Sequence, residues 1–429
     1  MHSVFRREIA PGVRLTCVPS EKFKAGVFTV NLVTGLHKNT AALNAALPRI
    51  LRRGTSDSPD MEAIAARLDL LYGAKIEPIA YKLGERQLAG FISVFADDAF
   101  IPEKDVLERV ISFVGEMLLS PATAGGRLRA EYVEGERDKL IDEIRSVVND
   151  KRRYADMRLV ERMCEGEAYA VPSLGTESEA AKISVFTATR QYRELVSSAE
   201  LELFYCGSAP GERVERAVNE AFSALPRMKL SPLPETKIFT EPKSPEVRLF
   251  TETLDVVQGK LSIGCRLGDA MNAPDYAALA VMNGIFGGCV TSKLFKNVRE
   301  KMSLCYYASS RIDRHKGVMI ISSGIDAANY EKAVDAISCQ LDAVKNGDFT
   351  EDELESVKRE LINAYKSSDD SIYALAGWYT DYAQLGADYT PDDMAALVSL
   401  VTKDDVIKAA AGIRTDAIYF LKGGDDVED

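Results

Sequence analysis

Gly287-Gly288-Cys289-Val290-Thr291-Ser292-Lys293-Leu294-Phe295-Lys296-Asn297-Val298-Arg299-Glu300-Lys301-Met302-Ser303-Leu304-Cys305-Tyr306-Tyr307 runs from a glycine turn through an amphipathic segment into a tyrosine-rich strand. Leu294, Phe295 and Val298 are spaced to share one helical face. Arg299 and Tyr306 stand seven residues apart, across the helix-to-strand corner. Such a corner aims a fixed cation and a phenol into one cleft, where a peptide carboxylate or backbone carbonyl finds two directional partners. The plainer reading is a surface arginine and a core tyrosine.

Around this corner the chain repeats itself. Upstream, alternation predicts strands at 247–254 and 259–266 and helical periodicity predicts a helix at 276–286; the corner helix follows at 292–301. Downstream come strands at 304–312 and 318–324, helices at 330–345, 350–367 and 403–411, and a last strand at 417–421. The N-terminal half carries strands at 13–17, 27–33, 75–81, 87–94 and 200–206, with helices at 41–51, 61–71, 103–118, 130–147 and 188–195. Leu71-Tyr72-Gly73-Ala74 sits where Leu304-Cys305-Tyr306-Tyr307 sits, and the helix from Tyr132 parallels the one from Glu351. Between the halves, Pro226, Pro232, Pro234, Pro242 and Pro245 break any helix and predict an extended linker. The expected organisation is a first domain at 1–225, a linker at 226–245 and a homologous second domain at 246–429, the product of an internal duplication. Hairpin-joined strands with segregated helices predict an α+β class, each half a mostly antiparallel mixed sheet with helices packed on one side, the two halves enclosing a cleft.

Composition narrows the function classes. The 429 residues exceed one ordinary core, and 46% hydrophobic with 28% charged residues is the balance of a water-soluble globular chain. A net charge of −12 repels nucleic acid and anionic membrane surfaces, so neither is an expected partner. The seven cysteines form no CxxC pair and sit in apolar stretches, as reduced core thiols do; with no apolar run after Arg6 and Arg7, the expected location is cytoplasmic. No G-x-S-x-G elbow, phosphate loop or dinucleotide fingerprint occurs. Gly284–Gly288 lacks the Lys and Ser/Thr of a phosphate loop and reads as a helix C-cap and turn. The lone Trp378 reads as core or interface packing.

Two homologous α+β halves, the Gly-Gly to Arg299/Tyr306 corner and a long carboxylate-bearing helix, Glu136-Arg137-Asp138-Lys139-Leu140-Ile141-Asp142-Glu143-Ile144, together resemble the insulinase/pitrilysin family of inverzincin metallopeptidases over essentially the whole chain. In active members the resemblance implies an H-x-x-E-H helix, with two imidazoles on zinc, a Glu as general base, and a distant Glu as third ligand. Aligned on Arg53-Gly54-Thr55, those five positions hold Ala45, Ala46, Leu47, Pro48 and Arg49. Glu143 takes the third-ligand position, with Glu136 two turns earlier. His2, His37 and His315 offer no pair at ligand spacing. No catalytic residue and no metal are therefore expected in this chain; zinc is expected only in a partner homologue. Read without the family, Glu136 and Glu143 form a solvated helix face paired with Arg137 and Lys139.

A second run, Asp150-Lys151-Arg152-Arg153-Tyr154-Ala155-Asp156-Met157-Arg158-Leu159 followed by Met163-Cys164-Glu165-Gly166-Glu167-Ala168-Tyr169, is similar to a catalytically silent bacterial branch of that family, associated with aminopentanol modification of elongation factor P. By charge alone it is a solvated helix surface, and Cys164 a buried small hydrophobe. The resemblance implies a non-catalytic, substrate-binding subunit whose Arg299 and Tyr306 hold a peptide while a zinc-bearing homologue completes a heterodimer; a homodimer is also open. The alternative is a peptide-binding scaffold or assembly protein with no part in proteolysis.

Overall fold

The computed structural model describes residues 4–227, 230–268 and 273–424; His2 lies outside them. The chain divides into two compact units. The first comprises Met1–Arg145, Val171–Glu235 and Asp369–Asp388, the second Ser146–Ala170, Thr236–Ser368 and Tyr389–Asp429. Each unit thus includes one segment drawn from the other half of the sequence. Residues 230–247 form neither helix nor strand.

The strands of the first unit are β1 (Phe5–Ala10), β2 (Val13–Pro19), β3 (Ala25–Gly35), β4 (Lys75–Leu83) and β5 (Arg86–Ala96), a two-stranded ribbon β6 (Thr123–Ala124) and β7 (Arg127–Leu128), and β8 (Glu200–Gly207). Its sheet has the order β1-β2-β8-β3-β5-β4, with β2 and β8 parallel and every other pair antiparallel. The second unit holds β9 (Arg248–Thr253), β10 (Gly259–Arg266), β11 (Cys305–Asp313), β12 (Val318–Ile325) and β13 (Arg414–Lys422). Read from β9, its order is β9-β13-β10-β12-β11, again with one parallel pair, β9 and β13. Strand for strand and sense for sense this repeats β2-β8-β3-β5-β4, so the fold is α+β with one sheet topology used twice. Even the entry to the equivalent strands β4 and β11 matches: Tyr72 and Ser303, shortly before them, hold left-handed backbone at φ 59° and 51°.

Helices α1 (Ala41–Leu51), α2 (Met61–Asp69), α3 (Val106–Leu119), α4 (Ala130–Ser146), α6 (Glu177–Ala180), α7 (Val185–Ser198) and α8 (Gly211–Ala221) belong to the first unit. Phe28, Val30 and Leu32 of β3 join residues of α1, α3, α7 and α8 in its main core. The opposite face would be left in water by such an arrangement, yet β3 is buried along most of its length. The cover is α12 (Ile372–Gln384), whose Ile372, Leu375, Ala376 and Tyr379 pack on Val18, Val27, Phe204 and Cys206. Trp378 lies at the edge of this cluster, its ring 4.9 Å from that of Tyr382.

In the second unit the equivalent face is covered by α5 (Lys151–Met163), through Ala155, Leu159, Val160 and Met163 against Val318, Ile320, Ala417, Tyr419 and Leu421. The other helices here are α9 (Ala273–Asn283), α10 (Tyr330–Lys345), α11 (Glu351–Ser368), α13 (Pro391–Leu400) and α14 (Lys403–Ala411). Tyr330 of α10 places its ring 4.8 Å from Phe420, on the face opposite Tyr419. The helix after α4 and the helix after α11 thus exchange sheets. The run from Asp150 to Leu159, expected from its charge to be a solvated surface, instead buries one face and carries the buried carboxylate of Asp156. That group accepts hydrogen bonds from Ser262 at 2.7 Å and Ser322 at 2.8 Å and meets Arg311 at 3.2 Å. Cys164, as expected, is a buried hydrophobe. Burial pushes the thiols of Cys206 and Cys265 up to about 12 and about 11, which leaves them without nucleophilic thiolate at neutral pH.

Close packing explains one glycine in the first sheet. A Cβ on Gly90, mid-β5, would stand 1.8 Å from the Val30 carbonyl oxygen, so no larger residue fits without moving β3. Beside it, Glu202 of β8 is buried on the face that α12 covers. Desolvation pushes its carboxyl up to about 7, outweighing Arg14, whose Nε donates to it at 3.1 Å. A raised carboxyl binds its proton more tightly in the folded chain than in the unfolded one. Its contribution to stability is therefore complete below about pH 4.5 and is lost as the pH climbs to about 7. Equilibrium unfolding should show stability falling by about 2–3 kcal/mol across that window from this group. The Glu202→Gln variant should lack that slope; an unchanged slope would refute the assignment.

Candidate functional site

Two places bear on function, one in each unit. In the first unit, α1 is held by a buried amide network: Asn44 donates to Gln87 at 3.0 Å and accepts from Gln191 at 2.9 Å, while Gln87 donates to the Ala41 carbonyl at 2.9 Å. The network sets which face of α1 looks outward. Ala45 and Pro48 are buried, and Pro48 supplies no amide N–H to the helix. Arg49 points out to α4 and meets Glu143 at 2.6 Å. One turn on, Arg53 Nη1 donates to Glu136 at 3.1 Å, and Lys139 Nζ reaches the same carboxylate at 2.8 Å.

The positions that the family resemblance assigned to a metal are thus brought together in space, and they hold ion pairs. Arg49, which the resemblance aligns with the second imidazole, binds Glu143, which it aligns with the third ligand. A guanidinium supplies there the positive charge that a metal would otherwise bring, without its Lewis acidity or bound water. Among the described residues no group of three or more His, Cys, Asp or Glu could hold a metal ion. The expectation that Glu136 lies on a solvated face paired with Arg137 is corrected: Glu136 is only 6% exposed and binds Arg53 and Lys139, while Arg137 turns to Asp138 at 2.8 Å. Lys139 is the partner expected from the sequence, whereas Arg52 was not singled out and Arg53 served only as an alignment anchor. Arginines at 49 and 53 facing glutamates at 136 and 143, one set a turn apart and the other two turns apart, were the signal available.

The second place is the glycine corner. The segment Gly284–Gly288 is a π-helical turn rather than the expected C-cap, and Leu294–Lys301, which carries Arg299, is π-helical as well. The wide turn suits glycine because a Cβ on Gly284 would stand 2.4 Å from Val357, and one on Gly287 2.6 Å from Leu294 and Ser310. Leu294 and Val298 are fully buried, which leaves Arg299 on the outer side, its guanidinium 4.6 Å from the Phe295 ring centre and its Nε 3.5 Å from Glu300. Then β11 bulges: Cys305 pairs with Ile325 and Tyr307 with Gly324, so Tyr306 is the extra residue. A bulge re-aims its side chain, and Tyr306 is 72% exposed instead of buried in the core. Arg299 and Tyr306 share no hydrogen bond or ring contact with each other. Both stand open to solvent on one corner, where the Tyr306 hydroxyl and the terminal nitrogens of Arg299 can donate to a ligand.

Comparison with known proteins fits these two observations. The family described as "Peptidase M16 inactive domain" matches residues 188–361, a span that includes the Arg299/Tyr306 corner. Over 96% of its length the chain is 34% identical to "Probable inactive metalloprotease YmfF" of Bacillus subtilis, 96% of which is covered. The chain belongs to the M16 peptidase family. This is the insulinase/pitrilysin family that the sequence motifs resemble. Among solved structures, a conserved protein from Enterococcus faecalis V583 matches with a TM-score of 0.88 at 27% identity, covering 98% of this chain and 99% of that one. The peptidase M16 inactive domain from Pseudomonas fluorescens shares the fold at a TM-score of 0.80 and 18% identity, with both chains fully covered. As an M16 homologue the chain keeps both sheets and lacks the imidazoles and the base that the family's chemistry requires.

Proposed function

We propose that this chain is a non-catalytic, substrate-binding subunit that acts with a zinc-bearing homologue in peptide or protein processing. One contrast carries the reading. The positions of the metal centre are closed by the Arg49–Glu143 and Arg53–Glu136 pairs, whereas Arg299 and Tyr306 remain exposed on a π-helix and a β-bulge. π-Helical turns and bulges are retained mainly where they serve a function, since each weakens the regular hydrogen-bond ladder. Arg299 would hold a peptide carbonyl or carboxylate and Tyr306 would donate to a developing oxyanion, while zinc, its water and the base come from the partner. The similarity to an M16 relative named as inactive supports the same division of labour. Six of the seven cysteines are buried and none forms a disulfide, which supports a reducing, cytoplasmic setting. Among the described residues no helix is long and apolar enough to cross a membrane.

The test mixes the purified chain with an H-x-x-E-H homologue encoded in the same genome. Alone, the chain should carry zinc far below one ion per molecule and cleave no peptide. Together, the two should co-elute and hydrolyse a quenched-fluorescence peptide library faster than the homologue alone. Arg299→Ala and Tyr306→Phe should each cut the partner-dependent turnover by about tenfold to a hundredfold with the complex intact. Equal turnover with and without this chain would favour a scaffold role and end the processing proposal.

A further inference from the structure

Beside the positions that the family resemblance aligns with a metal centre, the first unit has a solvent-open cavity of about 210 Å³. Its charged lining is Arg49, Arg52, Arg53 and Lys139 with Glu77 and Glu136. The ion pairs around it are unevenly matched. Arg49 takes Glu143 at 2.6 Å and Arg52 takes Glu77 at 3.2 Å, but Arg53 and Lys139 share the single carboxylate of Glu136. Four cations therefore face three carboxylates. Arg53 Nε is in addition buried without a hydrogen-bond partner, a donor that ordinarily costs free energy to leave unmet. The guanidinium planes are held: Arg52 also donates to the Ile76 carbonyl, and Arg53 lies 5.4 Å from the Tyr132 ring centre.

From this imbalance we infer that the cavity is an anion site that takes one carboxylate of a peptide. The excess of a single positive charge is neutralised by one monovalent anion, whereas a phosphate dianion would leave a desolvated negative charge unmatched; the same excess repels a metal cation. Arginine forks suit a planar carboxylate, which accepts two parallel N–H bonds. The carboxylate can be the C-terminal group of a peptide or an acidic side chain; both present the same chemistry. The inference rests on the peptide-holding reading above and gives the first unit a carboxylate grip of its own. Its test needs neither partner nor turnover, so the two proposals fail separately.

The probe is acetate, followed by the arginine Nε–H resonances of the full chain labelled with 15N-arginine, with Arg53 assigned by the Arg53→Lys variant. The Arg53 resonance should move saturably, while that of Arg109, an outward arginine of α3, moves little. Glu143→Gln, at a half-exposed position, releases Arg49 and should tighten acetate by roughly threefold. Arg53→Met should weaken it by about tenfold or more. Labelled peptides then separate the sources: tighter binding of a free C-terminus than of its amide twin assigns the α-carboxylate, and tighter binding of an amidated peptide bearing one glutamate assigns the side chain. A linear shift shared with Arg109, no tightening in Glu143→Gln, or phosphate saturating the site more tightly than acetate would overturn the proposal.

Discussion

Replacing Arg266 by methionine is expected to remove about 3–5 kcal/mol of stability from the second unit. The side chain is fully buried and donates to Asp416 at 2.8 Å, to both oxygens of Glu167 at 2.7 and 3.2 Å, and to the Met163 carbonyl at 3.3 Å. Burial alone would raise the Glu167 carboxyl, but Arg266 and Lys316 hold it below the usual carboxylate range. Without Arg266, two buried carboxylates must rely on Lys316 and Lys243, 2.9 and 3.5 Å from Glu167, and on Arg248 beside Asp416. Removing one partner of a buried network costs more than the network gains, because the remaining charges stay desolvated. Since Glu167 follows α5 in the exchanged segment, the loss should also free that segment. Urea unfolding measures the total, and limited proteolysis within residues 146–170 reports where it acts. Adding Glu167→Gln to the variant should recover part of the loss. A shift below about 1 kcal/mol, in the range of exposed pairs, would mean that the cluster is solvated.

The Tyr379→Ala variant tests the reciprocal contact and should cost the first unit about 3–5 kcal/mol. Tyr379 is 1% exposed on α12, stacks on Phe204 with ring centres 5.8 Å apart, and lies under the Arg6 guanidinium at 5.9 Å. Truncation leaves a cavity between the helix and β8 that rigid strands cannot close. Residues 369–388 should become the first site of proteolysis while the 146–170 segment stays protected. Equal protection of both segments, or loss of both, would show that the two docked helices are not separate elements of the stability.

Most strands and helices were legible because their periods are strong. The helices Ala41–Leu51, Tyr330–Lys345 and Lys403–Ala411 and the strand Gly259–Arg266 begin and end where the pattern of apolar residues predicts. The helices that change sheets were not. Lys151–Met163 carries enough charge to look solvated, and the serines that satisfy Asp156 are at 262 and 322, beyond any local window. Ile372–Gln384 was seen only as an aromatic cluster around Trp378, with no sign of the sheet it covers. That no H-x-x-E-H spacing occurs was plain from the sequence, where the family resemblance aligns Ala45, Pro48 and Arg49 with it. The ion pairs found between those positions and Glu136 and Glu143 depend on how two helices align, which no spacing along the chain records. The bulge that turns Tyr306 outward likewise follows from the pairing register of β11 with β12, which strand periodicity does not specify.

The reciprocal helices also give the chain a direction in time. When α5 leaves the ribosome, the strands that bury Leu159 and Met163 have not been made, and β13, the last of them, is also the last strand among the described residues. At ~5–20 residues per second, the apolar face of α5 waits for tens of seconds. By contrast, α12 emerges when the first sheet is already complete and can dock at once. During that interval the apolar face of α5, flanked by Arg152, Arg153 and Arg158, stays without the sheet that buries it.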